Sequence, residues 1–449
     1  MIANDLPMTL DSLSAPLRFC TRKGSVILLL IIVTTVSAKP EYRYAIRAGK
    51  ILTMAPQSDS QKTPAVINHG IILVRSGKIE AMGPRDKITI PNGYTVIDAS
   101  QFWVMPGIVE AHCHIGAYMG DLNDMVMQVN PELRASDCIW TDELAYTKAI
   151  TGGVTTIHSM PGSGTNQAGF TVILKTDPAD PDNTVIREVG VMKATQAFNP
   201  ERRNGDLGRT RMGMSWLLRE FLAKGRAYHE AWTAFEQGKT DKEPTLKPAW
   251  ELMRKVFSKE IPTIVHTYSG WGVMQTMRMF NDENDLPVIP THTAFGGFTV
   301  AREAAKRPGV SINIGPRIVE FNSREERDGR AHGMGAAYVD AGVSNFSINT
   351  DAVGWSHGIS PQEELATTQG AVTARYGLDE RITLEALTIN PARALQIDDR
   401  VGSLEVGKDA DIVIKKSSLI DPATPVELVL VNGRVAYQRR GADLAPKEE

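Results

Sequence analysis

Cysteine is scarce. The 449 residues hold three, Cys20, Cys113 and Cys138, which is too few for a disulfide framework. Stability must therefore come from a buried core, and a chain of this length can build a large one. There is no excess of charge of either sign: the formal net charge is −3. Such a balance gives no general pull toward nucleic acid or anionic lipid. No stretch reaches the ~20 consecutive apolar residues that span a bilayer comfortably, and no internal repeat is visible. Gly162-Ser-Gly164 is too short for a nucleotide loop, and no phosphate-cradling lysine follows at the right spacing. At 42% hydrophobic and 22% charged residues, a disordered chain, a collagen-like fibre and a multi-span membrane protein are excluded.

What is present begins with an address. Arg18, Arg22 and Lys23 precede the apolar run Val26–Val33, continued by Thr34-Thr35-Val36, and Val36-Ser37-Ala38 places small residues before Lys39. Positive flank, short apolar stretch and small-residue exit make a secretory signal peptide over residues 1–38. The expectation is an exported protein, periplasmic or extracellular, with an uncleaved membrane anchor as the alternative. Cys20 is the only cysteine before the cut and none follows at it, so a lipid-anchored terminus is not expected.

The mature chain alternates strand and helix, an α/β pattern. Residues 39–104 break into short β pieces such as Gly70–Val74 and Lys78–Met82, with turns at Ser76-Gly77 and Pro91-Asn92-Gly93. Residues 400–440 return to β pieces, so the two ends are expected to form one small β-sandwich domain. Between them, over 105–399, eight strand candidates alternate with helices: Gly107–His112, Thr155–Met160, Phe170–Lys175, Val189–Ala194, Pro262–Tyr268, Pro287–Thr293, Val310–Pro316 and Phe346–Asp351. This spacing predicts a (β/α)8 TIM barrel. Its weak stretch is Thr155–Ala194, where two links lack an obvious helix. The final helix, Ser360–Tyr376, opens with a capping serine, Pro361 and Glu363. Gly441–Glu449 is polar and reads as a frayed end.

His112-Cys113-His114 closes the first barrel strand. Residues i and i+2 share a side of a strand, so both imidazoles can point into the barrel mouth, where such enzymes keep their active sites. Neutral imidazoles suit zinc or a similar divalent transition metal. His-x-His alone is more often a pair of satisfied structural histidines. His266, His292 and Asp351 change the weighting, because each ends a later strand. Four histidines and a carboxylate at one face suit metal-assisted hydrolysis.

Val104-Met-Pro-Gly-Ile-Val-Glu-Ala-His-Cys-His114 resembles the first-strand signature of the amidohydrolase superfamily. Thr151-Gly-Gly-Val-Thr-Thr156 and Gly402-Ser-Leu-Glu-Val-Gly-Lys-Asp-Ala-Asp-Ile-Val413 are similar to stretches of its cyclic-amide and peptide-cleaving branches. Pro161–Gly164, Asn199-Pro200 and Arg209–Gly213 resemble the imidazolonepropionase-related group. The resemblance runs from about Ala45 to Tyr437 and is specific for the superfamily, not for a substrate. Glu110 departs from the Asp usual in the family and is expected to matter little. Cys113 is expected to face away and pack.

The resemblance implies roles. His112 and His114 bind the more buried metal with Asp351, and His266 and His292 bind a second ion. With one metal, His266 joins the first set and His292 contacts the substrate. Asp351 takes the proton from metal-bound water. Binuclear members bridge their metals with a carboxylated lysine on the fourth strand; Lys193 stands there, with Lys175 as runner-up. An ordinary ion-paired lysine is nearly as good a reading. His158 is expected to support the site from behind, and His69, His229, His332 and His357 to be loop or solvated residues. The expected activity is metal-dependent hydrolysis of a carbon–nitrogen bond in a small substrate: a cyclic amide, an imidazolone or an Xaa-Pro-type dipeptide. The runner-up is a deaminase on the same barrel, and a catalytically silent binding relative is the alternative of another class. A homo-oligomer is compatible with the sequence.

Overall fold

A computed structural model describes residues 42–57, 63–140, 144–177, 179, 184–197, 199–202, 207–321, 331–353, 365–442, 444 and 447–448. The expected signal segment 1–38, His357 and the capping residues Ser360–Glu363 lie outside them.

Four strands open the described chain: β1 (Arg43–Leu52), β2 (Val66–Arg75), β3 (Lys78–Pro84) and β4 (Thr95–Pro106). The central part supplies β5 (Ile108–Cys113), β6 (Val154–Ser159), β7 (Gln167–Phe170), β8 (Val172–Lys175), β9 (Val185–Arg187) and β10 (Met192–Thr195). After them come β11 (Thr263–Tyr268), β12 (Val288–Ala294), β13 (Ile312–Ile314), β14 (Val319–Phe321), β15 (Ala331–Gly333) and β16 (Phe346–Ile348). The last are β17 (Ile412–Lys415), β18 (Val426–Val431), β19 (Arg434–Gln438) and β20 (Lys447–Glu448).

Both chain ends build one eight-stranded mixed sheet, ordered β19-β18-β17-β4-β1-β2-β3, with β20 also on β4. Among the described residues this is a single sheet; two facing sheets, as a sandwich requires, are not shown. Alternation explains its packing. Ile46, Ile72, Ile97, Ile412 and Leu430 meet in one apolar cluster on one face. Ala45, Ile71, Leu73 and Val96 meet on the other, as a period of two dictates. The end expected to fray is held: Lys447 and Glu448 pair with Val96 and Thr95.

The central strands run mostly parallel. β10, β11, β12, β13 and β16 pair in parallel order, and β5 pairs parallel with β6. Helices cover the sheet between them, the longest being Arg211–Glu236, capped by the Thr210 hydroxyl, which accepts from Gly213 N. The third strand departs from the expected all-parallel set. It breaks at Thr171, and its halves run antiparallel, β8 to β6 and β7 to β10. The reason is the missing crossover: a parallel return needs a dozen or more residues, usually helical, and the link from β6 to β7 is shorter. Beyond β16 the chain returns to β5. His114 N donates to Ala352 O at 2.7 Å and Asp351 N to His112 O at 3.2 Å. The expected strand Phe346–Asp351 ends at Ile348, and two further helices, Glu380–Leu387 and Ile389–Ala394, precede the C-terminal strands. No helix among the described residues is long and apolar enough to cross a membrane.

A buried ion cluster ties the central strands to the C-terminal end. Lys175 on β8 is fully buried; its Nζ lies 3.0 Å from Asp409 Oδ2 and hydrogen-bonds Asp411 Oδ2. Lys78 and Arg400 also reach Asp409. Removing one partner of a buried pair leaves an uncompensated charge and costs about 3–5 kcal/mol. Lys175→Met is therefore expected to lower the free energy of unfolding by that amount, measured by denaturant titration. A change below about 1 kcal/mol, the size of an exposed pair, would show the cluster to be energetically idle.

Candidate metal centre

The site forms where strand ends converge. His112 is the fifth residue of β5, and His114 follows the strand on the same side. His292 lies in β12, and Asp351 lies three residues past β16. His292 and Asp351 both take left-handed backbone conformations, φ 70° and 53°. Non-glycine residues rarely adopt these, and they persist only where the surroundings impose them, as at functional sites.

Asp351 Oδ1 stands 3.3 Å from His112 Nε2, 3.3 Å from His114 Nε2 and 4.0 Å from His292 Nε2. The other ring nitrogens are anchored. His114 Nδ1–H donates to Met160 O and His292 Nδ1–H to Gly315 O, each at 2.8 Å. His112 Nδ1–H donates at 2.9 Å to the Thr291 hydroxyl, which donates to Asn313 Oδ1 at 2.8 Å. A carbonyl can only accept, so Nδ1 carries the proton and Nε2 points inward as a bare lone pair. Burial holds His112 well below the ordinary imidazole range and lowers His292 too, which keeps both neutral.

The result is a set of acceptors facing one another with no donor between them. His112, His114 and Asp351 each offer one ligand atom, all within 4.8 Å of one another. Nε2 of His112 and of His292 has no hydrogen-bond partner among the described residues. Tetrahedral zinc with ligands at ~2.0–2.2 Å sets ligand atoms roughly 3.3–3.5 Å apart, close to the two 3.3 Å separations. The donor set fits a divalent cation.

The remaining candidates sort as follows. His266 is near: its ring centroid is 4.6 Å from that of His292, and its Nδ1 is unpartnered among the described residues. Lys193 on β10 is buried, and its Nζ donates to the weak acceptor Met160 Sδ at 3.4 Å; burial lowers its ammonium to about 7. Lys175 is held in the ion cluster with Asp409 and Asp411, which accounts for its burial without a metal. His158 has both nitrogens engaged, with Ala111 O and the Thr171 hydroxyl, so it offers no lone pair. Cys113 is buried, its thiol on His158 O. Glu110 matters more than the sequence suggests. It accepts from His112 N at 3.0 Å, Thr350 N at 3.3 Å and the Thr350 hydroxyl at 2.7 Å. It thereby clamps the strands that carry His112 and Asp351, and burial raises its carboxyl to about 7.

Gly315 is required in its place. Its φ is +122°, and a Cβ there would lie 2.2 Å from Asn349 O, so no other residue can bring this carbonyl under His292. Tyr268, Phe295 and Arg317 line the same cleft with His266, His292 and Asp351. Sequence reasoning missed all three. Only Tyr268 carries a signal, standing two residues after His266 on one strand.

Residues 257–437 match the amidohydrolase family. The chain carries an amidohydrolase family domain. A 5-methylthioadenosine/S-adenosylhomocysteine deaminase of Symbiobacterium thermophilum is 33% identical over 129 residues, 26% of this chain and 28% of that protein. An enzyme of the same name from Thermoanaerobacter pseudethanolicus is 24% identical over 389 residues, 77% of this chain and 84% of that one. The imidazolonepropionase of Thermoplasma acidophilum is 22% identical over 83% of this chain and 90% of its own. An amidohydrolase from Thermotoga maritima superposes with a TM-score of 0.75 at 25% identity, over 88% of this chain and all of that one. The amidohydrolase homologues are hydrolytic enzymes acting on carbon–nitrogen bonds.

Proposed function

We propose that this amidohydrolase cleaves a carbon–nitrogen bond of a small cyclic amide, imidazolone or Xaa-Pro-type dipeptide with water activated at a divalent metal, zinc by its donor set. The carrying observation is the convergence of three acceptors, His112 Nε2, His114 Nε2 and Asp351 Oδ1, with no donor among them. A metal bound there supplies Lewis-acid polarisation and lowers the pKa of water toward ~7.

His112, His114 and Asp351 hold the ion, and His266, His292 and Lys193 stand ready for a second. Asp351, through its second carboxylate oxygen, takes the proton of the attacking water and returns it to the leaving nitrogen. With one metal bound, His292, fixed by Gly315 O, would instead present Nε2 to accept a hydrogen bond from a substrate N–H. Lys193 is buried with no carboxylate hydrogen-bonded to it among the described residues; a carbamate formed from its neutral amine and carbon dioxide, with loss of a proton, would offer two anionic oxygens to a metal pair.

The parallel pairings of β5 with β6 and among β10, β11, β12, β13 and β16, with the backbone bonds of His114 and Asp351 between the two sheets, support a (β/α)8 barrel over 105–399 with its third strand reversed, and the terminal sheet a small domain from 39–104 and 400–440. The segment 1–38 directs export. Amino-terminal sequencing of protein from its native compartment is expected to begin near Lys39; a cytoplasmic chain starting at Met1 would refute export.

The function is tested by metal analysis of the purified mature protein and a screen of dipeptides, hydantoins, imidazolones and aminopurines. Hydrolysis that stops on chelation and returns with zinc is expected. No turnover of any of these by metal-loaded protein would sink the reading. The names of the deaminase relatives favour one second reading, aminohydrolysis, which ammonia release from an aminopurine distinguishes.

A further inference from the structure

Arg317 lines the metal-site cleft, and no carboxylate among the described residues pairs with it. It follows β13 after Gly315, whose carbonyl anchors His292, and its exposed side chain lines a cavity of about 190 Å³ together with His266, Tyr268, His292, Phe295 and Asp351. It forms no ion pair among the described residues. Its guanidinium carbon lies 4.5 Å over the Phe295 ring. The acid nearest in sequence, Glu320, is engaged elsewhere: it accepts from Phe295 N and, at 2.6 Å, from Gly296 N. Glu320 thus holds the loop that carries Phe295 under Arg317 and is not available as its counterion.

We propose that Arg317 is the substrate-carboxylate anchor of this site, so that the enzyme acts on small amides bearing a free carboxylate, gripped at one end of the cleft while the scissile bond reaches Asp351 at the other. This rests on the carbon–nitrogen hydrolase reading above and narrows its substrate class. A guanidinium presents its N–H groups in a planar fork that matches a carboxylate with two parallel hydrogen bonds. The Phe295 ring beneath it attracts the cation without taking up its N–H groups as a carboxylate would. The other lining groups cannot do this. Asp351 would repel an anion, and Tyr268, whose hydroxyl accepts from Arg211 at 2.9 Å, offers a single O–H rather than a fork. The cavity is smaller than the ~300–1,000 Å³ of drug-sized pockets, which favours a compact molecule spanning metal and arginine at once.

The test uses pairs matched except for the charge: hydantoin-5-propionate against its propionamide, and glycyl-L-proline against glycyl-L-prolinamide. The ratio of kcat/KM, acid over amide, is measured on metal-loaded wild type, Arg317→Met and Arg317→Lys. A hydrogen-bonded charge contact corresponds to about 10–100-fold in this ratio. The wild type is expected to prefer the acids, Arg317→Met to lose that preference by this factor, mainly through KM, and Arg317→Lys to restore part of it. A ratio unchanged in Arg317→Met, or a wild type that prefers the amides, would overturn the assignment. Calorimetric binding of the same four compounds separates the two readings. If none is hydrolysed but wild type binds the acids and Arg317→Met does not, the carboxylate site stands and the hydrolase reading falls. If acid and amide bind alike, the carboxylate site falls.

Discussion

Asp351→Asn is expected to cut turnover by about 100- to 10,000-fold, the range for loss of a general base, while KM moves far less. The amide keeps the volume and one coordinating oxygen, but it cannot take a proton at neutral pH. Backbone geometry makes this the right substitution. Asp351 sits at φ 53°, a conformation that Asn tolerates nearly as well as Asp and most residues do not. The mutant should therefore keep its fold and its contacts with His112 and His114. Steady-state kinetics with metal content measured on the same sample decides the matter. Near-normal turnover with metal bound would remove Asp351 as the base and leave His292, whose Nε2 is unpartnered among the described residues, since His158 has both nitrogens engaged.

His112→Ala and His114→Ala are expected to lose metal as well as activity. Each deletion removes one of three converging ligand atoms and frees its anchor, Thr291 for His112 and Met160 O for His114. Loss of only an outer partner of a ligand costs about 10–100-fold in metal affinity, and loss of the ligand itself should exceed that. Elemental analysis after dialysis reads the result, and full occupancy in either mutant would refute the assignment.

The histidine pair was legible because alternation along β5 puts residues 112 and 114 on one side whatever their neighbours do. His292 was legible because it falls within β12, where strand patterning is strong. Asp351 was picked by its position as the last residue of a strand that in fact ends three residues earlier, at Ile348. The direction of the third strand was invisible, because a run such as Phe170–Lys175 has the same period read either way. Lys193 stood ahead of Lys175 on strand count alone, since the counterions that occupy Lys175 lie more than 230 residues away in sequence. Arg317 and Glu320 gave no signal, because what sets them apart is the absence of a partner in one case and two backbone amides in the other.

That same separation has a bearing on how the chain comes to be made. Lys175 leaves the ribosome long before Asp411, its buried counterion 236 positions later, has been synthesised. Until then, burying β8 would strand a bare ammonium in an apolar interior, a state the chain must avoid by keeping that strand wet. The β5–β16 region, with all the residues of its metal site already translated, therefore waits on the last tenth of the protein to close. A chain cut short before Asp409 would lose more than a sheet edge. It would carry every ligand and still lack the negative charge that lets the third strand go under.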